Sequence, residues 1–228
     1  MKRILVLIFI LTLAAAAFLV VESPQFRLQE LAVEGLEELA PEEIWSLSQL
    51  SAGDHLWSVN LSAIEEMVEA HPRIRSAEVE RLHPGRLVFR VEERRGVLLV
   101  PHHQGFLEIC TDGWALAWHE SPIETQLPVA TGLNLGDLVV GERAIAEGLQ
   151  ECLELSAALG QARRELSEIN ASSGILTMYT VDGTSVLWGQ VWEDFEEKTE
   201  VLKAFLLDPQ PGIRYLDIRV ASLPVMGE

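Results

Sequence analysis

The stretch HPRIRSAEVERLHPGRLVFRVEERRG, residues 71–96, constrains this chain more than any other. Its apolar residues alternate twice. Ala77 and Val79 fall on one side of an extended backbone, with Glu78 and Glu80 on the other. After His83-Pro84-Gly85, Leu87, Phe89 and Val91 alternate with Val88, Arg90 and Glu92. A period of two is the signature of a pleated strand with one buried face. Two such strands across a Pro-Gly turn make a hairpin whose charged faces can pair acids with Arg90, and whose apolar faces need a cover.

The preceding residues supply that cover. FRLQELAVE, residues 26–34, reads as a strand that Gly35 ends. A helix is expected over 41–50, with Pro41 near its start and Glu42 and Glu43 in the first turn, where acids favour the helix dipole. Ile44, Leu47 and Leu50 form its apolar stripe, and SAGDHLWSV follows as a loop. Asn60 stands where an N-cap belongs, before a second helix with Leu61, Ile64, Met67 and Val68 on one face and Pro72 as its stop. The order is strand–helix–helix–strand–strand. A three-stranded sheet with both helices on one face buries every stripe. This unit spans residues 26–94.

The N-terminus, MKRILVLIFILTLAAAAFLVVES, carries Lys2 and Arg3 before an uncharged run over residues 4–21 that Glu22, Ser23 and Pro24 end. Such a run is just long enough for a helix to cross the ~30 Å apolar layer of a bilayer. Basic residues stay in the cytoplasm. The reading is therefore a single-pass type II anchor over 4–21, a cytoplasmic stub of residues 1–3, and everything later outside the cytoplasm. The rival reading is a cleaved signal peptide with Ala14-Ala15-Ala16 at its cleavage site, although the run exceeds the usual signal core.

Residues 95–222 have a different texture. Strands are expected over 97–100, 106–110, 114–118, 127–131, 166–170, 175–180 and 185–188, with Thr111-Asp112-Gly113 and Asp182-Gly183 as turns. Helices are expected over 141–159, with Ile145, Leu149, Cys152, Leu153 and Leu159 on the apolar side, and over 194–207, with Phe195, Val201, Leu202, Phe205 and Leu206. The last strand, 213–220, sets Ile213, Tyr215, Asp217 and Arg219 on one face and Arg214, Leu216, Ile218 and Val220 on the other. Residues 223–228 read as a tail. The fold class is thus α+β: an N-terminal transmembrane helix, a β-α-α-β-β domain, and a mixed β-rich domain with two helices. A hydrophobic content of 48% supports real cores, and a net charge of −18 repels phosphate backbones, so nucleic acid is excluded as a partner. The two cysteines, Cys110 and Cys152, lack C-x-x-C spacing. One disulfide and two buried thiols both remain open.

Residues 26–94 resemble a POTRA domain, the polypeptide-transport-associated module. The resemblance rests on the Val33-x-Gly35 strand end, HPRI-x-x-A-x-V from His71 and P-x-x-L-x-F-x-V-x-E-R from Pro84. Placed after a single anchor and before a β-rich domain, it is similar to the FtsQ/DivIB family of bitopic division proteins. Leu127-Pro128-Val129 with Gly132, Asp182-Gly183 followed by Leu187-Trp188-Gly189, Lys198, and Leu216-Asp217-Ile218-Arg219 match that family in order. The resemblance implies a divisome scaffold in the cell membrane, concentrated at the septum. It would bind FtsL-type and FtsB/DivIC-type bitopic division proteins and connect them to septal peptidoglycan synthesis. If residues 213–220 form a sheet edge, the free backbone groups of Arg214, Tyr215, Leu216, Asp217, Ile218, Arg219 and Val220 can template a partner strand, and Lys198 can meet a partner carboxylate. The alternative is a terminal core strand with solvated charges. The POTRA unit either docks other division proteins through its own edge or serves as a spacer.

No catalytic reading competes well. His102, His103, Glu108, Asp112 and His119 lack metal-ligand spacing. Ser121 and Ser172-Ser173-Gly174 lack a nucleophile elbow. Glu92-Glu93 and Glu196-Glu197 suit exposed faces, and the six tryptophans suit packing more than sugar stacking. The expectation is a non-enzyme with no cofactor, no metal and no small-molecule substrate. A POTRA-bearing translocation or outer-membrane assembly factor and a secreted cell-wall-binding protein or enzyme are the alternatives.

Overall fold

The computed structural model describes every residue except Met1, Glu22, His83 and Pro84. The chain divides into two units, Met1–Glu93 and Arg94–Glu228.

The first unit opens with α1, Lys2–Val21, over the expected anchor. Its described side chains, Ile4 and residues 6–15, are all exposed. Among the described residues, no helix is long and apolar enough to cross a membrane. Glu22, read as part of the helix stop, lies outside the described residues, as do His83 and Pro84 of the expected hairpin turn.

Beyond α1 the unit holds β1 (Glu30–Glu34), α2 (Pro41–Ser48), α3 (Leu61–Glu69), β2 (Ile74–Leu82) and β3 (Arg86–Glu93). The sheet order is β1-β3-β2, with β1 parallel and β2 antiparallel to β3. Val79 stands opposite Phe89 and Ala77 opposite Val91. These residues, with Leu87, meet Ile44, Ile64, Val68, Leu28 and Leu56 in one core. On the other face Arg90 reaches Glu80 at 2.9 Å and Glu34 at 3.6 Å. Asn60 caps α3, its Oδ1 accepting from the Ala63 amide at 3.4 Å. The helix ends at Glu69, short of Pro72, because the residues before a proline disfavour the helical region. The strand expected from residue 26 starts later, since Pro24–Phe26 form a 3-10 turn. Gly35 is required: its φ is +90°, and a Cβ there would overlap the Val91 carbonyl.

The second unit is a nine-stranded sheet with helices on one face. Its elements are β4 (Gly96–His102), β5 (Gly105–Cys110), β6 (Ala115–His119), β7 (Val129–Thr131), α4 (Leu149–Leu159), β8 (Leu166–Asn170), β9 (Ile175–Thr180), β10 (Ser185–Gln190), α5 (Phe195–Leu207), β11 (Tyr215–Asp217) and β12 (Val225–Gly227). The strand order is β12-β11-β10-β9-β8-β7-β4-β5-β6. Cys152, Leu153 and Leu155 of α4 and Leu202, Phe205 and Leu206 of α5 pack with Leu98, Ile169, Met178, Val186, Trp188, Leu216 and Ile218 in one core.

Two expectations for this unit are corrected. The helix read over 141–159 begins only at Leu149. Gly141 and Gly148 both take positive φ, and the intervening backbone pairs with the β5–β6 connection instead. The Ala115 amide donates to Glu142 O at 2.9 Å, and the Ala144 amide to Gly113 O at 2.8 Å. Ile145, placed on the apolar stripe by its spacing, is 87% exposed. The second correction concerns the C-terminus. Only Tyr215–Asp217 of the strand read over 213–220 is extended in the sheet, and the expected tail contributes β12.

Candidate functional site

The residues singled out for partner binding lie at the β10–β11–β12 end of the sheet, and the structure changes their roles. β11 runs parallel to β10, with Val186 opposite Leu216, and antiparallel to β12, with Leu216 opposite Met226. It is therefore flanked on both sides and is not an edge. Tyr215, Leu216 and Asp217 offer no free flank to a partner strand as expected, because β12 already pairs with them. Leu216 and Ile218 are buried in the core. Arg214, Tyr215, Arg219 and Val220 are exposed, and Asp217 is half-buried.

Lys198 is corrected too. It stands one turn into α5 and is fully buried at 0% exposure, so no partner carboxylate can reach it. Its Nζ donates to the Gln190 carbonyl at 3.4 Å and lies 5.9 Å from the centroid of the Trp188 ring. Its work is internal: it ties α5 to the end of β10. The motif Leu187-Trp188-Gly189 followed by Lys198 thus builds core.

Backbone alternation locates the true edge. The Ile218 amide donates to Leu187 O at 3.0 Å, and Arg214 O accepts from the Ser185 amide at 2.9 Å. The backbone groups of Leu216 between them thus turn toward β10, and those of Tyr215 and Asp217 turn toward β12. These pair with Gly227 and Val225, which leaves the N–H and C=O of Met226 facing outward. Among the described residues, β12 has β11 as its sole neighbour in the sheet order. Val225 and Met226 are 46% and 44% exposed.

The adjoining surface is shaped and charged. Arg219 clamps Asp217 with its Nε at 3.0 Å and a terminal nitrogen at 2.6 Å. That hydrogen bond holds the Asp217 carboxyl below the usual carboxylate range and raises the guanidinium. Beyond Arg219 lies a cleft of ≈ 890 Å³ floored by Ile175, Thr177, Leu187 and Gly189 and bounded by Trp192. Trp192 stacks at 5.7 Å on Phe195 and is 55% exposed. Val225, Met226 and Trp192 were missed from sequence. A three-residue strand shows no periodicity, and a single tryptophan between two elements carries no spacing signal.

The remaining chemical candidates have structural partners. His119 Nε2 lies 2.8 Å from the buried Glu108 carboxylate, and the His102 and His103 rings meet edge-on at 4.1 Å. Among the described residues no group of three or more such side chains is placed to hold a metal ion. Glu93 receives the Glu37, Glu38 and Leu39 amides at 3.0, 3.0 and 3.1 Å and so closes the loop before α2. Cys110 and Cys152 are buried free thiols, and burial pushes the Cys152 thiol up to about 12.

A β-α-α-β-β unit followed by a β-rich sheet unit defines a POTRA-bearing protein, and residues 26–94 match the family model of the POTRA domain, FtsQ-type. The chain is 28% identical over 229 residues to the cell division protein FtsQ of Streptomyces collinus, covering 97% of this chain and 85% of that one. It is 32% identical over 183 residues to FtsQ of Anaeromyxobacter sp. (strain K), covering 78% and 61%. With DivIB of Geobacillus kaustophilus it shares 30% over 146 residues, covering 64% and 54%. This chain belongs to the FtsQ/DivIB family of cell division proteins. It spans about 60% of the length of the Myxococcus fulvus and Anaeromyxobacter relatives. A solved extracytoplasmic domain of DivIB from Geobacillus stearothermophilus aligns at 21% identity with a TM-score of 0.37, covering 51% of this chain and 96% of that one.

Proposed function

We propose that this chain is a bitopic scaffold of the division machinery, held in the cytoplasmic membrane at the septum by residues 4–21 with its two units outside the cytoplasm. It binds and turns nothing over. Its partners are small single-pass proteins of the FtsL and FtsB/DivIC type, and through them it acts on septal peptidoglycan synthesis. The similarity to the cell division proteins FtsQ and DivIB supports the process. The uncharged run after Lys2 and Arg3 supports the anchor.

The observation that carries the reading is the outward N–H and C=O of Met226 on β12. An added strand would satisfy both groups and cover the exposed faces of Val225 and Tyr215. Backbone pairing reads no sequence, so partner specificity comes from the side chains that flank the added strand.

The test is titration of the full chain in detergent with the extracytoplasmic segments of the candidate partners. Met226→Pro deletes the outward donor at an edge position where proline fits. We expect it to weaken binding about fivefold or more, the worth of one hydrogen bond, while Met226→Ala stays nearer to wild type. Equal losses from both substitutions would count against pairing through the backbone.

A further inference from the structure

The POTRA sheet has its own long edge, and it is closed by side chains. β2 runs nine residues, Ile74–Leu82, and lies outermost in the order β1-β3-β2. A strand of that length with bare amides on its outer side is a pairing template. Alternate amides of an antiparallel strand face away from its neighbour. On β2, the amides of Ala77 and Val79 are taken by the carboxylates of α3. Ala77 N–H donates to Glu69 Oε1 at 2.9 Å, and Val79 N–H donates to Glu65 Oε1 at 2.8 Å.

The spacing fits by geometry. Residues four apart on a helix rise about 6.0 Å. Residues two apart on a strand rise about 6.6 Å. Glu65 and Glu69 on α3 therefore run in step, antiparallel, with Val79 and Ala77 on β2. One position on, Arg81 donates to the Leu56 carbonyl at 2.8 Å and to Val59 O, tying the loop before α3 against the same strand. The β2–β3 pairing also shifts register between Ile74 and Ser76, which bends the start of the edge.

We propose that Glu65 and Glu69 hold β2 shut as a pairing edge, and that the occupant they exclude is β2 of a second copy of this chain. The strand is self-complementary. A two-fold axis at Ala77 sets the outward amides and carbonyls of the two Ala77 residues against each other. It places Ser76 opposite Glu78, Arg75 opposite Val79 and Ile74 opposite Glu80; the one like-charge pair, Arg73 opposite Arg81, falls where the strand ends. Two carboxylates capping successive amides remove the donors that such pairing needs. The POTRA unit thereby keeps its sheet from zipping to a neighbour in a crowded assembly. This inference is independent of the partner edge at β12.

The experiment compares the full chain in detergent with Glu65→Ala/Glu69→Ala and Glu65→Gln/Glu69→Gln. The glutamine pair keeps an acceptor oxygen at each site and loses the charge; the alanine pair loses both. Sedimentation velocity reads self-association, and hydrogen exchange reads the Ala77 and Val79 amides. We expect the alanine pair to dimerise at least about tenfold more tightly, as each copy regains bonds for its bared amides. At dilution those amides should exchange about fivefold faster or more. The glutamine pair should sediment as wild type. The proposal is overturned if the alanine pair associates no more than wild type, if its amides keep wild-type protection, or if the glutamine pair associates equally, which would make charge repulsion the cause. If the double alanine variant fails to fold, Glu65→Ala and Glu69→Ala alone give the same comparison, each baring one amide.

Discussion

Tyr215 lays its ring over Gly227, its partner across the last strand pair, in the space a Cβ at residue 227 would need. A glycine on a short terminal strand is weak by itself, having no side chain to pack and much backbone freedom to lose. The aromatic ring supplies the missing cover. This contact, the Leu216–Met226 pair and the Arg214 amide donating to Gly227 O at 2.8 Å hold β12 in place.

The Tyr215–Gly227 contact predicts coupling. Gly227→Ala should destabilise the chain by about 1 kcal/mol, as overpacking against the ring. In a Tyr215→Ala background the same change should cost close to nothing. Thermal unfolding of the four proteins of the cycle measures this, and simple additivity would show that the ring does not occupy that space.

Lys198 separates packing from charge. Its stem is buried and its ammonium has one carbonyl partner. Lys198→Ala should lose about 2–4 kcal/mol of stability through the cavity it leaves. Lys198→Met fills the same volume and should recover most of that loss. Neither should alter partner affinity once folded, a point that binding titrations on both variants would decide.

Glu93 anchors the loop ahead of α2 by accepting three amides. Glu93→Ala should cost about 1–3 kcal/mol, since bonds to a charged acceptor are the stronger kind. Glu93→Gln should retain part of the stabilisation. Denaturant unfolding that found the two variants equal would place the stabilisation elsewhere.

Asp217 carries a pH prediction. Its folded pKa is depressed, chiefly by the Arg219 hydrogen bond. The stabilisation from that pair is therefore present above the unfolded value, about 3.9, and is lost as pH falls through the lower folded value. The Arg219 side chain is 63% exposed, so the effect on stability is small and screened by salt. In Arg219→Gln the Asp217 carboxyl should titrate back toward the ordinary carboxylate range. Side-chain carboxyl NMR through an acid titration follows it directly, and an unmoved midpoint would assign the depression to another cause.

Local pattern carried much of the fold. The alternation of Ala77, Val79, Leu87, Phe89 and Val91 assigned both strands of the hairpin and their buried face, because pleating alone sets which side chains share a side. Asn60 announced its helix because a cap is a contact within one turn. The Gly141 helix start misled, since its pattern cannot register that residues 141–144 find hydrogen-bonding partners near residue 115. Periodicity also put Lys198 on α5 but said nothing of what packs above it.

Sequence by itself determined the pieces: a β-α-α-β-β unit and a β-rich unit with two helices, each written in spacings of two or of three to four residues, with the likeness to a POTRA module carried by its motifs. Tertiary structure alone decided which strand is outermost. Sheet order is a long-range property, and three residues, Val225, Met226 and Gly227, took the open flank from Tyr215, Leu216 and Asp217 by pairing with them. Edges are defined by the absence of a neighbour, and no local pattern encodes an absence.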